Sequence, residues 1–160
     1  MKIGHICLAE EGSEDCKRLA ALVEAISRHK VQQHVLVANV NLARQLAGYT
    51  GVTVGPVVRS PVLAYCLMPN VEIAHIHDGE SGQAGLLLTL TRSIPFVLSA
   101  DESIHSDPSP LTRSVLNRAV RTIRNQDTEA AELAAHDALR TYADALSSRL
   151  ELPENSNCRH

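Results

Sequence analysis

Apolar runs and helical stripes alternate along this chain from its first residue. MKIGHICLAE, residues 1–10, is an apolar run ended by charge and predicts a strand. In EGSEDCKRLAALVEAISRHK, Leu19, Leu22, Val23 and Ile26 recur at helical spacing. Ser13 can cap that helix, and Glu14 and Asp15 suit the positive end of its dipole. HVLVANV, GVTVGPV, VEIAHI and PFVLSA read as the second to fifth strands, and VRTIR as a sixth. NLARQLAGY, SPVLAYCLMPN, ESGQAGLLLTLTRS and SPLTRSVLNRA supply the helices between them, the last with Pro110 near its first turn. A final helix is predicted from Asn125 to about Leu150, where Leu139, Tyr142 or Ala143, Leu146 and Leu150 recur every three or four residues.

Strands that alternate with helices imply parallel βαβ units with right-handed crossovers. The expected fold is α/β, a doubly wound, Rossmann-like parallel sheet of about six strands. HVLVANV and PFVLSA are almost continuously apolar, as strands become when helices cover both faces of a sheet. One domain over residues 1–150 is expected, followed by a mobile polar tail, 151–160. Beginning at Met and ending in PENSNCRH, the chain reads as a complete protein.

Composition narrows the classes of partner. The 44% of hydrophobic residues suffices for a core, but these are mainly Ala, Leu and Val, with one Phe, three Tyr and no Trp. Few aromatic platforms are therefore on offer for sugar rings or single-stranded bases. A net charge of −3 gives no electrostatic case for nucleic acid or an anionic membrane. Cys7, Cys16, Cys66 and Cys158 show no metal or redox spacing and read as free thiols. MKIGHICLAEEGSED does not resemble a signal peptide, and no apolar run reaches the roughly 18 residues of a membrane span. Cytoplasm is the expected compartment.

The charge lies unevenly. The loops predicted at the carboxyl ends of the first, fourth and fifth strands read EEGSED, HDGE and ADESIHSD. They hold Glu10, Glu11, Glu14, Asp15, Asp78, Glu80, Asp101, Glu102 and Asp107, half of the eighteen carboxylates, at the edge where such sheets bind ligands. A dinucleotide site needs bare amides and a glycine-rich turn there. Two carboxylates beside a phosphate would each repel it by about 1 kcal/mol or more. Nucleotide binding at the first loop is therefore excluded, and no cofactor is expected. Gly79, Gly82 and Gly85 suit close helix–sheet packing or the approach of a neutral ligand. Acidic residues at helix starts are also ordinary dipole complements, which accounts for Glu14 and Asp15 without a ligand.

The segment VEIAHIHDGESGQAGLLLTLTRSIPFVLSADES carries a more specific likeness. A strand ending in HxHD, a glycine-bearing helix and then IPFV resembles the amino-terminal domain of family-4-like glycosyltransferases of the GT-B fold. MKIGHICLAEEG matches that family's first strand and turn, and NRAVRTIRNQDTEAAEL a later segment, with Asn125 in place of the usual Ser cap. LELPENSN falls where the interdomain linker begins. The resemblance implies an inter-domain cleft with His77 near acceptor and donor, and the turn of Glu11, Gly12 and Ser13 near the acceptor. EEGSE replaces the family's double glycine, Ala100 and Asp101 stand where it often has a histidine, and its nucleotide-sugar domain is missing.

Rival chemistries are weaker. His75 and His77 share one strand face and, with Asp78 and Asp101 or Glu102, match a two-His, one-carboxylate metal set. His75 is expected instead to sit under a helix with a ring nitrogen on backbone, His77 is a cleft residue or a turn residue, and no metal is expected. DGESG departs from the GxSxG nucleophile turn at Gln83. Cys16 has no local partner signature with His5 or His77. Arg113, Arg118, Arg121 and Arg124 read as a solvated face, with docking of an acidic partner as the alternative. The apolar stripe of the last helix is a candidate for self-association, a homodimer included.

The expected function is a non-catalytic binding or regulatory module on a degenerate glycosyltransferase scaffold, acting through its cleft or a helical surface. The alternative is the acceptor-binding subunit of a split, hexosyltransferase-type enzyme that needs a separate nucleotide-sugar-binding partner. The expected cleft comprises Glu11, Gly12, Ser13, His77, Asp78, Gly79, Asp101 and Glu102. Expected partners are a protein or a second copy, with a sugar-containing acceptor as the ligand the resemblance implies.

Overall fold

The strand KIGHIC, Lys2–Cys7, is buried from Ile3 onward on both faces, which only a central position in a covered sheet permits. A computed structural model of the chain, describing residues 1–100, 109–124 and 131–150, places this strand (β1) at the middle of a six-stranded sheet. Helix α1 (Glu14–Ser27), β2 (Gln32–Val37), α2 (Val40–Leu46), β3 (Val52–Val54), α3 (Pro61–Leu67), β4 (Ile73–Ile76) and α4 (Gly82–Arg92) follow. The chain continues through β5 (Phe96–Ala100), α5 (Pro110–Arg118), β6 (Arg121–Arg124) and α6 (Ala131–Leu150). The order is β3-β2-β1-β4-β5-β6 and every pairing is parallel. That is a Rossmann-like α/β fold, with its switch point between β1 and β4. Asn125, Cys158 and the tail 151–160 lie outside the described residues.

Local chemistry sets the helix ends. The Ser13 hydroxyl accepts from Cys16 N at 3.3 Å, the Asn39 side chain accepts from Asn41 N and Leu42 N, and Ser109 caps α5 with Pro110 in its first turn.

Alternation along the strands divides the core between the two faces. Ile6, Ala74, Ile76, Phe96 and Leu98 meet Ala64, Met68, Leu88 and Val115 from α3, α4 and α5. On the other face Ile3, Ile73 and Val97 meet Leu22 and Ile26 of α1 and Ala135, Ala138, Tyr142 and Ala145 of α6. The last helix is therefore spent largely on the core: Ala135, Ala138, Tyr142 and Ala145 pack on the sheet and α1. Its small alanines let the helix lie close, while Leu139 and Leu146 stay half-buried at the margin.

Helix α4 depends on the same closeness. A Cβ at Gly85 would stand 2.8 Å from Phe96 Cδ2 and 2.9 Å from Ile76 Cγ1, both fully buried side chains. Gly85→Ala gains about 1 kcal/mol of helix propensity, but overpacking costs about 1–3 kcal/mol. A melting temperature lower by a few degrees is expected in thermal denaturation followed by circular dichroism. An unchanged value would mean that α4 can lift from the sheet.

Candidate functional site

The carboxyl edge of the sheet is built from the segments after β1, β2 and β4. After β1 the chain leaves the sheet at Leu8, turns with Ser13 N bonded to Glu10 O at 3.2 Å, and enters α1. Gly12 makes that turn at φ +80°, a backbone state that side chains with a Cβ seldom adopt. Glu10 and Glu11 are exposed, and Glu11 Oε1 accepts from Asn41 Nδ2 at 2.7 Å. The acidic rim is in part internally paired, since Glu14 bonds Lys17 and Asp15 lies 3.5 Å from Arg18.

A groove of about 520 Å³ opens between α1 and α2, lined by Glu11, Gly12, Lys17, Glu24, Asn39 and Asn41 among others. It lies to the α2 side of the first turn rather than over the switch point. At the switch point itself Asp78 closes the gap between the strand ends. Its Oδ2 accepts from Leu8 N at 2.7 Å and from Ser81 Oγ at 2.5 Å, and its Oδ1 accepts from Ser81 N at 2.8 Å. The corner after β4 is a buried tie between two strands, so Asp78 is not aimed at an open cleft.

Beneath this tie lie three histidines. The segments IGHIC and IAHIH are near copies, and the sheet sets them side by side: Ile3 pairs with Ile73, Gly4 with Ala74, His5 with His75 and Ile6 with Ile76. His5, His75 and His77 therefore project into one layer under α1 and α6. His5 Nδ1 is 3.1 Å from His77 Nε2, and the rings of His75 and His77 stack at 4.0 Å. His75 bonds no backbone group; its Nδ1 meets Tyr142 Oη at 2.5 Å and its Nε2 meets Ser99 Oγ at 2.6 Å.

Burial dominates the electrostatics here. It lowers the pKa of His5 to about 4, opposed by the Gln33 side chain. His75 is held well below its ordinary value by burial and then by His5, and His77 by burial, His75 and His5. Burial, with Asp78 and Cys16 nearby, raises the Cys7 thiol, whose Sγ lies 4.0 Å from Cys16 Sγ. These are neutral rings and a protonated thiol at pH 7.

Of the expected cleft residues, Glu11, Gly12 and Ser13 share the first turn, and Gly79 is exposed on the loop after β4. His77 and Asp78 are buried, and Asp101 and Glu102 lie outside the described residues. Of the two-His, one-carboxylate set, Asp78 is tied to Leu8 and Ser81, and its alternatives Asp101 and Glu102 lie outside the described residues; beside His75 and His77 stands His5. Sequence reasoning missed His5, Tyr142, Ser99 and Asn41 as site neighbours. The likeness of IGHIC to IAHIH was the signal for the first of them.

No family model matches the chain, and no curated protein does. Among the described residues no helix is long and apolar enough to cross a membrane. Fold and site together define a Rossmann-like α/β domain with a groove of mixed polar and apolar lining between α1 and α2, and a buried histidine layer between the sheet and helices α1 and α6.

Proposed function

We propose that this chain is a non-catalytic binding or regulatory module on a degenerate glycosyltransferase amino-terminal scaffold. On this reading it works in the cytoplasm and holds a small, neutral, hydroxyl-rich ligand in the groove of Glu11, Gly12, Lys17, Glu24, Asn39 and Asn41. The observation that carries the reading is the state of His77, only 3% exposed, with Nε2 turned onto His5. A group that exchanges protons with reactants must reach them at hydrogen-bond distance. His77 faces inward, and both oxygens of Asp78 are already engaged. The groove instead presents carboxylates, amides and one ammonium beside the apolar Ala20, Ala21 and Leu42, and its polar groups suit hydroxyls better than phosphate.

A second reading, the acceptor-binding subunit of a split glycosyltransferase, draws on one observation. Glu11 and Gly12, the turn that the resemblance assigns to the acceptor, line the groove. Titration of ¹⁵N-labelled protein with a panel of neutral mono- and disaccharides tests the main proposal. Amide shifts are expected at Gly12, Lys17 and Asn41, and Glu11→Ala combined with Asn41→Ala should abolish them. Shifts confined to other surfaces would remove the groove from consideration. Sugar transfer from a nucleotide sugar by the chain alone would replace the module with an enzyme.

A further inference from the structure

We propose that His5, His75 and His77 form a binding site for a divalent transition-metal ion of the zinc type, at the junction of β1 and β4. One ligand atom from each ring lies within 4.8 Å of the others. His5 Nδ1 and His77 Nε2 stand 3.1 Å apart. Two imidazoles on one tetrahedral zinc, at about 2.0–2.1 Å each, are separated by about 3.3 Å. In the metal-free protein this contact is a hydrogen bond between the two rings, and an ion inserted there needs the nitrogens to part only slightly. Strands hold the frame, since His5 and His75 are direct partners in register and His77 N bonds Ile6 O at 3.0 Å.

The surrounding polar atoms favour the same assignment. His5 Nε2 and Gln33 Oε1 are both buried, and neither makes a hydrogen bond of regular geometry, although the Gln33 side chain is near enough to act on the ring. Gln33 Nε2 donates to Val23 O at 3.1 Å, which leaves Oε1 as the spare acceptor. With His5 Nδ1 on an ion, the ring proton must sit on Nε2, where it can donate to Gln33 Oε1. Metal-bound histidines characteristically use the second ring nitrogen in this way. His75 has a hydroxyl at each nitrogen, from Tyr142 and Ser99. Binding requires the His75 ring to swing off His77, on which it stacks at 4.0 Å, and to exchange one of these hydroxyls for the ion, while the other remains as the outer partner.

The donor set also selects the ion. Three neutral imidazoles suit Zn²⁺, Cu²⁺, Ni²⁺ or Fe²⁺. Mg²⁺ and Ca²⁺ prefer oxygen anions, and Asp78 is committed to Leu8 and Ser81. Three histidines with water in a fourth position is an established zinc arrangement. An ion here would clamp the two central strands together.

Calorimetric titration of the tag-free, chelator-stripped full chain with Zn²⁺ tests the site. One ion per chain is expected, together with a rise in melting temperature. His77→Ala, checked for folding by circular dichroism, should weaken binding by about 100-fold or more, since even outer-shell changes cost about 10–100-fold. His29→Ala with His136→Ala, which removes the other close histidine pair among the described residues, should leave binding unchanged. Co²⁺ bound to the unaltered chain gives a second readout, expected to show four-coordinate visible bands without thiolate charge transfer. Failure to bind one ion per chain would overturn the proposal, as would binding lost only with His29 and His136. Thiolate bands would move the ion to cysteine and overturn it equally.

Discussion

Acidification of the metal-free protein from pH 7 to pH 5 is expected to bring the domain close to unfolding. An unfolded histidine titrates near 6.5. In the fold, burial holds His5 at about 4 and His75 and His77 well below their ordinary value. Between the two limits the unfolded chain carries protons that the folded chain does not, so stability rises with pH across that window. It is fully present above about 6.5 and is lost as the pH falls, down to about 4 in the case of His5. Each such ring contributes a slope of about 1.4 kcal/mol per pH unit, and three contribute up to about 4. Total stability of a domain is roughly 5–15 kcal/mol, so a drop of 1.5 units below 6.5 removes much of it. Urea denaturation at pH 7, 6 and 5 with chelator present gives the slope. His5→Leu should reduce it by about one proton. A flat profile between pH 7 and 5 would mean that the three rings are charged or solvated in the native state.

Much of the architecture was legible because it depends on local pattern. HVLVANV and PFVLSA announced strands through unbroken apolar runs, and Ser13 marked the start of α1 through a single hydroxyl. Boundaries were less so. MKIGHICLAE suggested a strand to residue 10, yet β1 ends at Cys7, because the Leu8 amide turns to Asp78 and leaves the ladder. Periodicity located the last helix and its buried Tyr142 but not the centre of the packed face: Leu139 and Leu146 are more apolar than Ala135, Ala138 and Ala145, yet the small residues lie closest to the sheet and the two leucines at its margin. The acidic edge could be counted but not resolved into paired and free groups, since the bond from Asn41 to Glu11 spans 30 positions. The histidine layer was furthest from reach. His5 and His77 lie 72 residues apart, and their contact exists only once β1 and β4 are neighbours in a particular register.

Replacing Asp78 by Ala is expected to destabilise the fold by about 3 kcal/mol, lowering the melting temperature by roughly 6–12 °C. Three donors converge on its carboxylate: Leu8 N, Ser81 N and Ser81 Oγ. Removing the acceptor leaves the Ser81 amide buried without a partner, whereas Leu8 N retains a 3.1 Å bond to Ser81 Oγ. That retained bond keeps the cost below the full value of three lost contacts. Asp78→Asn preserves one carbonyl oxygen and should cost about half as much. Thermal denaturation of the two variants separates the roles that this corner could play. An aspartate aimed at a ligand would be replaced at little cost to melting but with loss of binding in the groove. A tie between strand ends shows the reverse, a graded fall in melting temperature from Asn to Ala while saccharide-induced shifts at Gly12 and Asn41 persist in whatever fraction remains folded. Little change in melting for the Ala variant would mean that the β1–β4 junction is held by its ladder alone, and that Asp78 is available for ligand after all.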